Sequence, residues 1–325
     1  MPVRQTVALA LQNVPPGPGR AAAAEMMQAA LGRQDSMEAL FASLAHLDGK
    51  LAALPKGVEP ASLQALAAIL NLNGRSPTGQ GLKTAVQRSG LFLEAMLAKG
   101  GPAASLQGDL KAALLSLSRA LKPWANGKPV VSGPRNPRPP PPRRDGLPRG
   151  QRSDRPVLPD ASSPREAGRA LGAQVEAALA RLRLSQLASL PQISGQPGGG
   201  AEAQPGEWTF ELPLLFGEEL GMAQFRIRRD GGGDGPDAGR AWQMHFAVDF
   251  DATGGVHAKV VLRQDTIAVT LWAEREGTAE TLSNMLPELG AALESRGLRV
   301  GGLACRHGAP EEPARPVGAF MDRQT

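Results

Sequence analysis

His245 and His257, with Asp249 between them, are the first residues whose types and spacing could do chemistry. Both fall in runs that alternate apolar and polar residues, so both face one side of a sheet, where two imidazoles beside a carboxylate could hold a metal ion or pass a proton. Their spacing argues against it. With a turn centred near Thr253, His257 lies opposite Asp249, and His245 lies four residues further along, about 13 Å at the rise of a strand. One ion does not span that distance, and the expectation is a mixed-charge, solvated face made of Gln243, His245, Asp249, His257, Lys259 and Arg263. Cys305 and His307 are two apart near a strand end, but a thiolate nucleophile also needs an orienting acid and an oxyanion site, and the surrounding residues offer neither. His46 sits beside Leu47 in a helical stripe and reads as a rim residue. Asp230-Gly231-Gly232-Gly233-Asp234-Gly235 lacks the strand-to-helix context of a phosphate-binding loop and reads as a flexible connection. Cys305 is the single cysteine, which excludes a disulfide framework and a thiolate zinc cluster and fits a reducing cytoplasm. The expectation is a protein that is not an enzyme, with no cofactor and no metal.

The elements that position these residues can be read from their periods. Trp242, Met244, Phe246, Val248 and Phe250 form one face of a strand, and Val256, Ala258, Val260 and Leu262 form one face of the next, with Asp251 to Gly255 as the joint. Ile267, Val269 and Leu271 make a third strand. The period then becomes helical. Leu282, Met285, Leu286, Leu289 and Leu293 fall on one side of a helix with Thr278 as its N-cap, Gly297 beyond its last turn, and a kink expected at Pro287. Leu298, Val300 and Leu303 read as a closing strand. Upstream, Trp208 to Leu214 and Phe225 to Ile227 alternate and read as a first hairpin.

The segment from Trp208 to His307 resembles the C-terminal domain of the flagellar hook-length control protein family, FliK-like. The likeness rests on a joint ending Gly-Val, the strand VHAKVVL, the strand IAVTLWAE and the stretch TLSNMLPELGAALESRGLRV. Leu82 to Gly100 resembles a recurrent N-terminal segment of the more helical members, and together the two stretches cover roughly 120 of 325 residues. The family often carries a Pro and a Leu-Gly in the joint and an Arg at the helix start, where this chain has Asp251-Ala252-Thr253-Gly254-Gly255 and a start near Thr278. The resemblance marks Gly255, Val256, Leu282, Leu286, Leu289, Leu293 and Gly297 as family-pattern positions with structural or partner-facing roles. It also implies a flagellar export gate specificity-switch protein as partner, together with hook and hook-cap proteins.

The rest of the chain is organised by its breaks. The fold class expected is α+β, with a helical N-terminal region, a disordered Arg/Pro linker, and a C-terminal antiparallel sheet with one or two packed helices. In residues the division is a flexible N-terminus 1–19, a helical bundle region 20–122, a Pro/Arg-rich linker 123–164 and an amphipathic helix 165–190. A Gly/Pro-rich link 191–206, the α+β domain 207–308 and a flexible tail 309–325 complete it. Bundle stripes run from Met37 to Leu54 behind an Asp35/Glu38 capping box, from Leu63 to Leu70, from Leu82 to Leu97 and from Leu106 to Leu121. The helix at 165–190 is expected to lie on the C-terminal sheet, because that sheet needs cover.

The net charge of +5 sits in one place. Between Ser132 and Arg165 there are eight Arg and three Asp, so this segment carries the whole excess. Pro139 to Pro142 make it extended, in part polyproline II. An alternative function follows from it, a non-enzymatic binder of nucleic acid or anionic surfaces through the Arg/Pro linker. Yet no aromatic interleaves with the arginines, and nucleic acid is not expected as a partner. Residues 1–19 lack the apolar core and cleavage site of a signal peptide, and no run is long enough for a transmembrane segment. The location expected is cytoplasmic, with export through the flagellar type III apparatus as the route the resemblance adds. The function it implies is hook-length control and switching of type III export specificity by protein–protein contact.

Overall fold

A computed structural model of the chain describes residues 18–46, 57–73, 79–100, 108–124, 138–144, 146–151, 163–190, 193–194, 202–203, 206–216, 219–229 and 241–311. The Gly-rich connection Asp230 to Gly235, residues 1–17 and residues 312–325 lie outside them.

Seven helices precede the sheet: α1 Pro18–Arg33, α2 Met37–His46, α3 Glu59–Asn73, α4 Gly79–Gln87, α5 Leu93–Ala98, α6 Leu110–Leu121 and α7 Pro164–Ala188. α2 begins after Ser36, whose hydroxyl accepts the Glu38 N–H, while the Asp35 carboxylate accepts the Ser36 N–H; the cap is one residue later than the Asp35/Glu38 pattern implied. The stripe Leu82 to Leu97 is two helices rather than one. Gly90 takes a positive φ of 86° between them, and a Cβ there would stand 2.7 Å from Lys111 Cβ, so the chain must turn where it crosses the start of α6. α6 starts at Leu110 because Asp109 caps it, its side chain accepting the Ala112 N–H.

α7 is the axis of the helical body. Ser163 and Glu166 close a capping box, Pro164 fits the first turn, and Leu171, Val175, Ala178, Leu179 and Leu182 are buried at helical spacing. It packs on α1, α2 and α6 as well as on the first strand of the sheet. The expectation that it lay on the sheet alone is therefore incomplete, since its small residues Ala167, Ala170, Ala177 and Ala180 let helices approach from several sides.

The sheet has six strands in sequence order: β1 Glu207–Phe216, β2 Glu219–Arg229, β3 Ala241–Phe250, β4 Gly254–Arg263, β5 Thr266–Ala273 and β6 Arg299–His307. The first five are antiparallel, as expected. β6 runs parallel to β5, because α8 (Glu276–Glu294) carries the chain back to the end of the sheet where β5 began. One cross-strand row, Phe210, Phe225, Phe246, Ala258, Leu271 and Cys305, marks the apolar face. The neighbouring row, Glu211, Gln224, Ala247, His257, Trp272 and Arg306, belongs to the polar one. A single apolar core runs from α2, α3, α6 and α7 into Phe210, Leu212, Phe225, Val248 and Phe250.

Within the segment expected to be a disordered linker, residues 138–144 and 146–151 are seated on this core as a strap. The Pro139 carbonyl accepts from Gln34, the Pro140 carbonyl from Arg181 and the Gly146 carbonyl from Arg226. Pro142 and Pro148 are buried, and Gln151 bridges Met222 of β2. The physical reason is that an extended proline stretch leaves its carbonyls open as acceptors, and the body behind it presents buried donors that need them.

Candidate docking surface

The joint between β3 and β4 is braced by side chains at the start of α8. Phe250 pairs with Gly254, which takes a positive φ of 70°, so only Asp251, Ala252 and Thr253 form the loop. Arg275 donates to the carbonyls of Asp251 at 2.7 Å and Ala252 at 3.2 Å, and Thr278 donates to the carbonyl of Thr253 at 2.8 Å. Thr278 was expected to cap the helix. It braces the turn instead, and α8 begins three residues earlier, after Arg275. Gly255 accepts the Glu274 N–H at 2.9 Å, and a Cβ on Gly255 would come within 2.6 Å of the Glu274 carboxyl carbon. Val256 pairs with Ala273 and is half-buried.

α8 lies on β5 and β6 through Leu282, Leu286, Leu289 and Leu293, all half-buried, while Met285 is 51% exposed. The helix continues through Pro287, which is exposed, so its missing N–H falls on the solvent side. At the far end Gly297, φ 79°, donates to Glu294 O and the Leu298 N–H bonds Leu293 O, a Schellman closure with Leu298 and Leu293 as its apolar pair. Arg299 then pairs with Asp265 at 2.6 Å. The seven family-pattern residues are thus spread along one layer, with Gly255 and Val256 at one end of the sheet, Gly297 at the other and the leucines between. Cys305 and His307 do not meet either. Cys305 Sγ bonds Ala279 O at 3.4 Å, and His307 Nε2 lies 3.1 Å from Glu274 O.

The polar face differs from the sequence expectation in register and in cover. Asp249 pairs with Gly255, His257 with Ala247 and His245 with Lys259, so the two histidines are diagonal neighbours. The three-residue loop shifts the pairing by two from a turn with five residues in it. Nor is this face solvated throughout. The strap lies against it, with Arg149 N–H on Gln224, Gln151 on Glu211 and Arg226 on Gly146 O, and Glu211, Gln224, Arg226 and His257 are buried. Where the strap passes β3 and β4, Arg149, Gly150, Asp249, Gly255, His257 and Glu274 contribute to the wall of an open cavity of about 320 Å³. Sequence reasoning missed Glu274, Gly150 and the strap entirely. The signal that bears on them is Gly255, a glycine in an extended strand where no turn requires one. Among the described residues no group of three or more His, Cys, Asp or Glu could hold a metal ion, and no helix is long and apolar enough to cross a membrane.

Residues 230–314 match the family model described as flagellar hook-length control protein FliK. The match spans β3 to β6 with α8 and starts after β2, later than the Trp208 at which the sequence resemblance began. Comparison with curated proteins found no match, and comparison with solved structures found none.

Proposed function

Because residues 230–314 match the model of the flagellar hook-length control family, we propose that the chain controls hook length by switching the substrate specificity of type III export, through contact with the export gate's switch protein and without covalent chemistry. The observation that carries this reading is the coincidence of the family match with the layer formed by β3 to β6 and α8. There a turn and a helix start are bolted together by Arg275, Thr278 and Glu274, a rigid shape suited to being recognised. The N-terminal part reports on the growing structure, and the chain is itself an export substrate. The test is a deletion in a flagellated host, with hooks measured by electron microscopy. Overlong hooks without filaments are expected, restored by the full chain and not by one lacking residues 230–314. Hooks of normal length bearing filaments in the deletion strain would sink the proposal.

A further inference from the structure

We propose that the cavity between the strap and the β3–β4 turn receives a basic side chain, an arginine guanidinium above all, from the partner that this layer contacts. The inference rests on the docking role proposed above and names the chemistry of the contact.

Two glycines build the cavity. A Cβ on Gly150 would come within 2.6 Å of the Val248 carbonyl carbon and 2.7 Å of Asp249 Cβ, and one on Gly255 would displace the Glu274 carboxylate. Their absence lets the strap close against Asp249 and lets Glu274 lie over the strand. His257 forms the floor, 9% exposed, with its Nε2 buried and making no hydrogen bond. Glu274 Oε1 stands 3.5 Å from that nitrogen, too far for a good hydrogen bond. A buried ring nitrogen set this far from a carboxylate leaves room for a donor that bonds both. A forked donor fits there, because a guanidinium presents several N–H groups in one plane and can give one to the carboxylate and another to an accepting ring nitrogen. Leu147, Pro148 and Pro310 on the wall supply apolar surface for the methylene stem. Among the described lining residues Arg149 is the one arginine or lysine, and it is largely exposed. Asp249 and Glu274 place two carboxylates on the same wall.

The test uses the purified full chain and N-acetyl-arginine-methylamide as probe, with the citrulline analogue as its uncharged isostere. Binding is followed by the imidazole resonances of His257, assigned by their loss in His257→Gln. A saturable shift of His257 is expected with the arginine probe, weakened by about tenfold with citrulline and by a similar factor in Glu274→Gln. Glu274 is half-exposed at its side chain, so that variant is not a folding risk. A His257 signal that does not respond to arginine, or responds equally to citrulline, overturns the cavity proposal. Normal hooks in the deletion strain overturn the docking role instead, so the two failures are distinguishable.

Discussion

Gly150 lacks a side chain at a place where the backbone of Val248 and Asp249 fills the space one would need, and this single residue shows how small the tolerance between strap and sheet is. Gly150→Ala should push the strap off the strand and cost about 1–3 kcal/mol, the usual range for crowding a packed site. Gly302→Ala, with nothing within 4 Å of its added Cβ, should stay within about 0.5 kcal/mol of the parent, and urea denaturation compares the two. Equal losses would mean that the close approach at Gly150 does not hold the strap. His245 makes a different prediction. Burial first, then the charges of Arg226, Lys259 and Arg228, hold its imidazole down from 6.5 to about 4. Below the ordinary value the unfolded chain binds a proton that the folded chain resists, so stability is whole above pH 6.5 and is lost as the pH falls toward about 4. His245→Gln should flatten the stability curve in that window, and a proton NMR titration of the parent should place the His245 midpoint near 4 rather than 6.5.

Among the elements, α7 and β1 are joined by an ion pair at the centre of the molecule. Arg181 and Glu211 are each 1% exposed, with Arg181 Nε at 2.9 and 2.7 Å from the two carboxylate oxygens. Gln34, the Pro140 carbonyl, Gln151 and Gln224 complete the network. Removing one partner leaves a buried charge uncompensated, so Arg181→Met or Glu211→Leu alone should cost about 3–5 kcal/mol, whereas the double variant should cost clearly less than the sum. A double-mutant cycle by urea denaturation checks it, and strict additivity would refute the coupling. The strands, the helix α8 and the Gly297 stop were legible because each is a local pattern: alternation, helical spacing, a glycine after the last leucine. Arg181 and Glu211 read only as polar positions on an amphipathic helix and an alternating strand, since nothing in a period says that two such residues will be buried together. The strap was illegible for the same reason. Pro139 to Pro142 do fix an extended chain, but its docking depends on Gln34, Arg181 and Arg226, residues distant in sequence. The cavity was not legible, because Gly255 read as part of the hairpin joint and nothing local places Gly150 or Glu274 beside it.

At the scale of the whole molecule, the division into a helical region, a linker and a C-terminal domain does not describe how apolar surface is distributed. The core that starts at Leu40 and Phe41 passes through Leu114, Leu171 and Leu179 and reaches Phe210, Phe225 and Phe250 without a break. The strap is hydrogen-bonded to both sides of that core, to Gln34 in the helical body and to Gln224 in the sheet. Two halves that share buried side chains and a buried ion pair cannot lose one without exposing the other, so they should unfold together. The tryptophans are placed to test this, because Trp124 packs on the core next to α6 and Trp208 packs on it from β1. In variants retaining only Trp124 or only Trp208, fluorescence should give coincident urea midpoints and slopes. A Trp124 transition that precedes the Trp208 transition would show that the helices fold as a separate unit and that the strap merely bridges two independent domains. The family-matched portion by itself, residues 230–314, lacks β2, the strand that pairs with β3 through Phe225 and Phe246. Expressed alone it should therefore bind an apolar dye and unfold at lower urea than the same strands in the full chain.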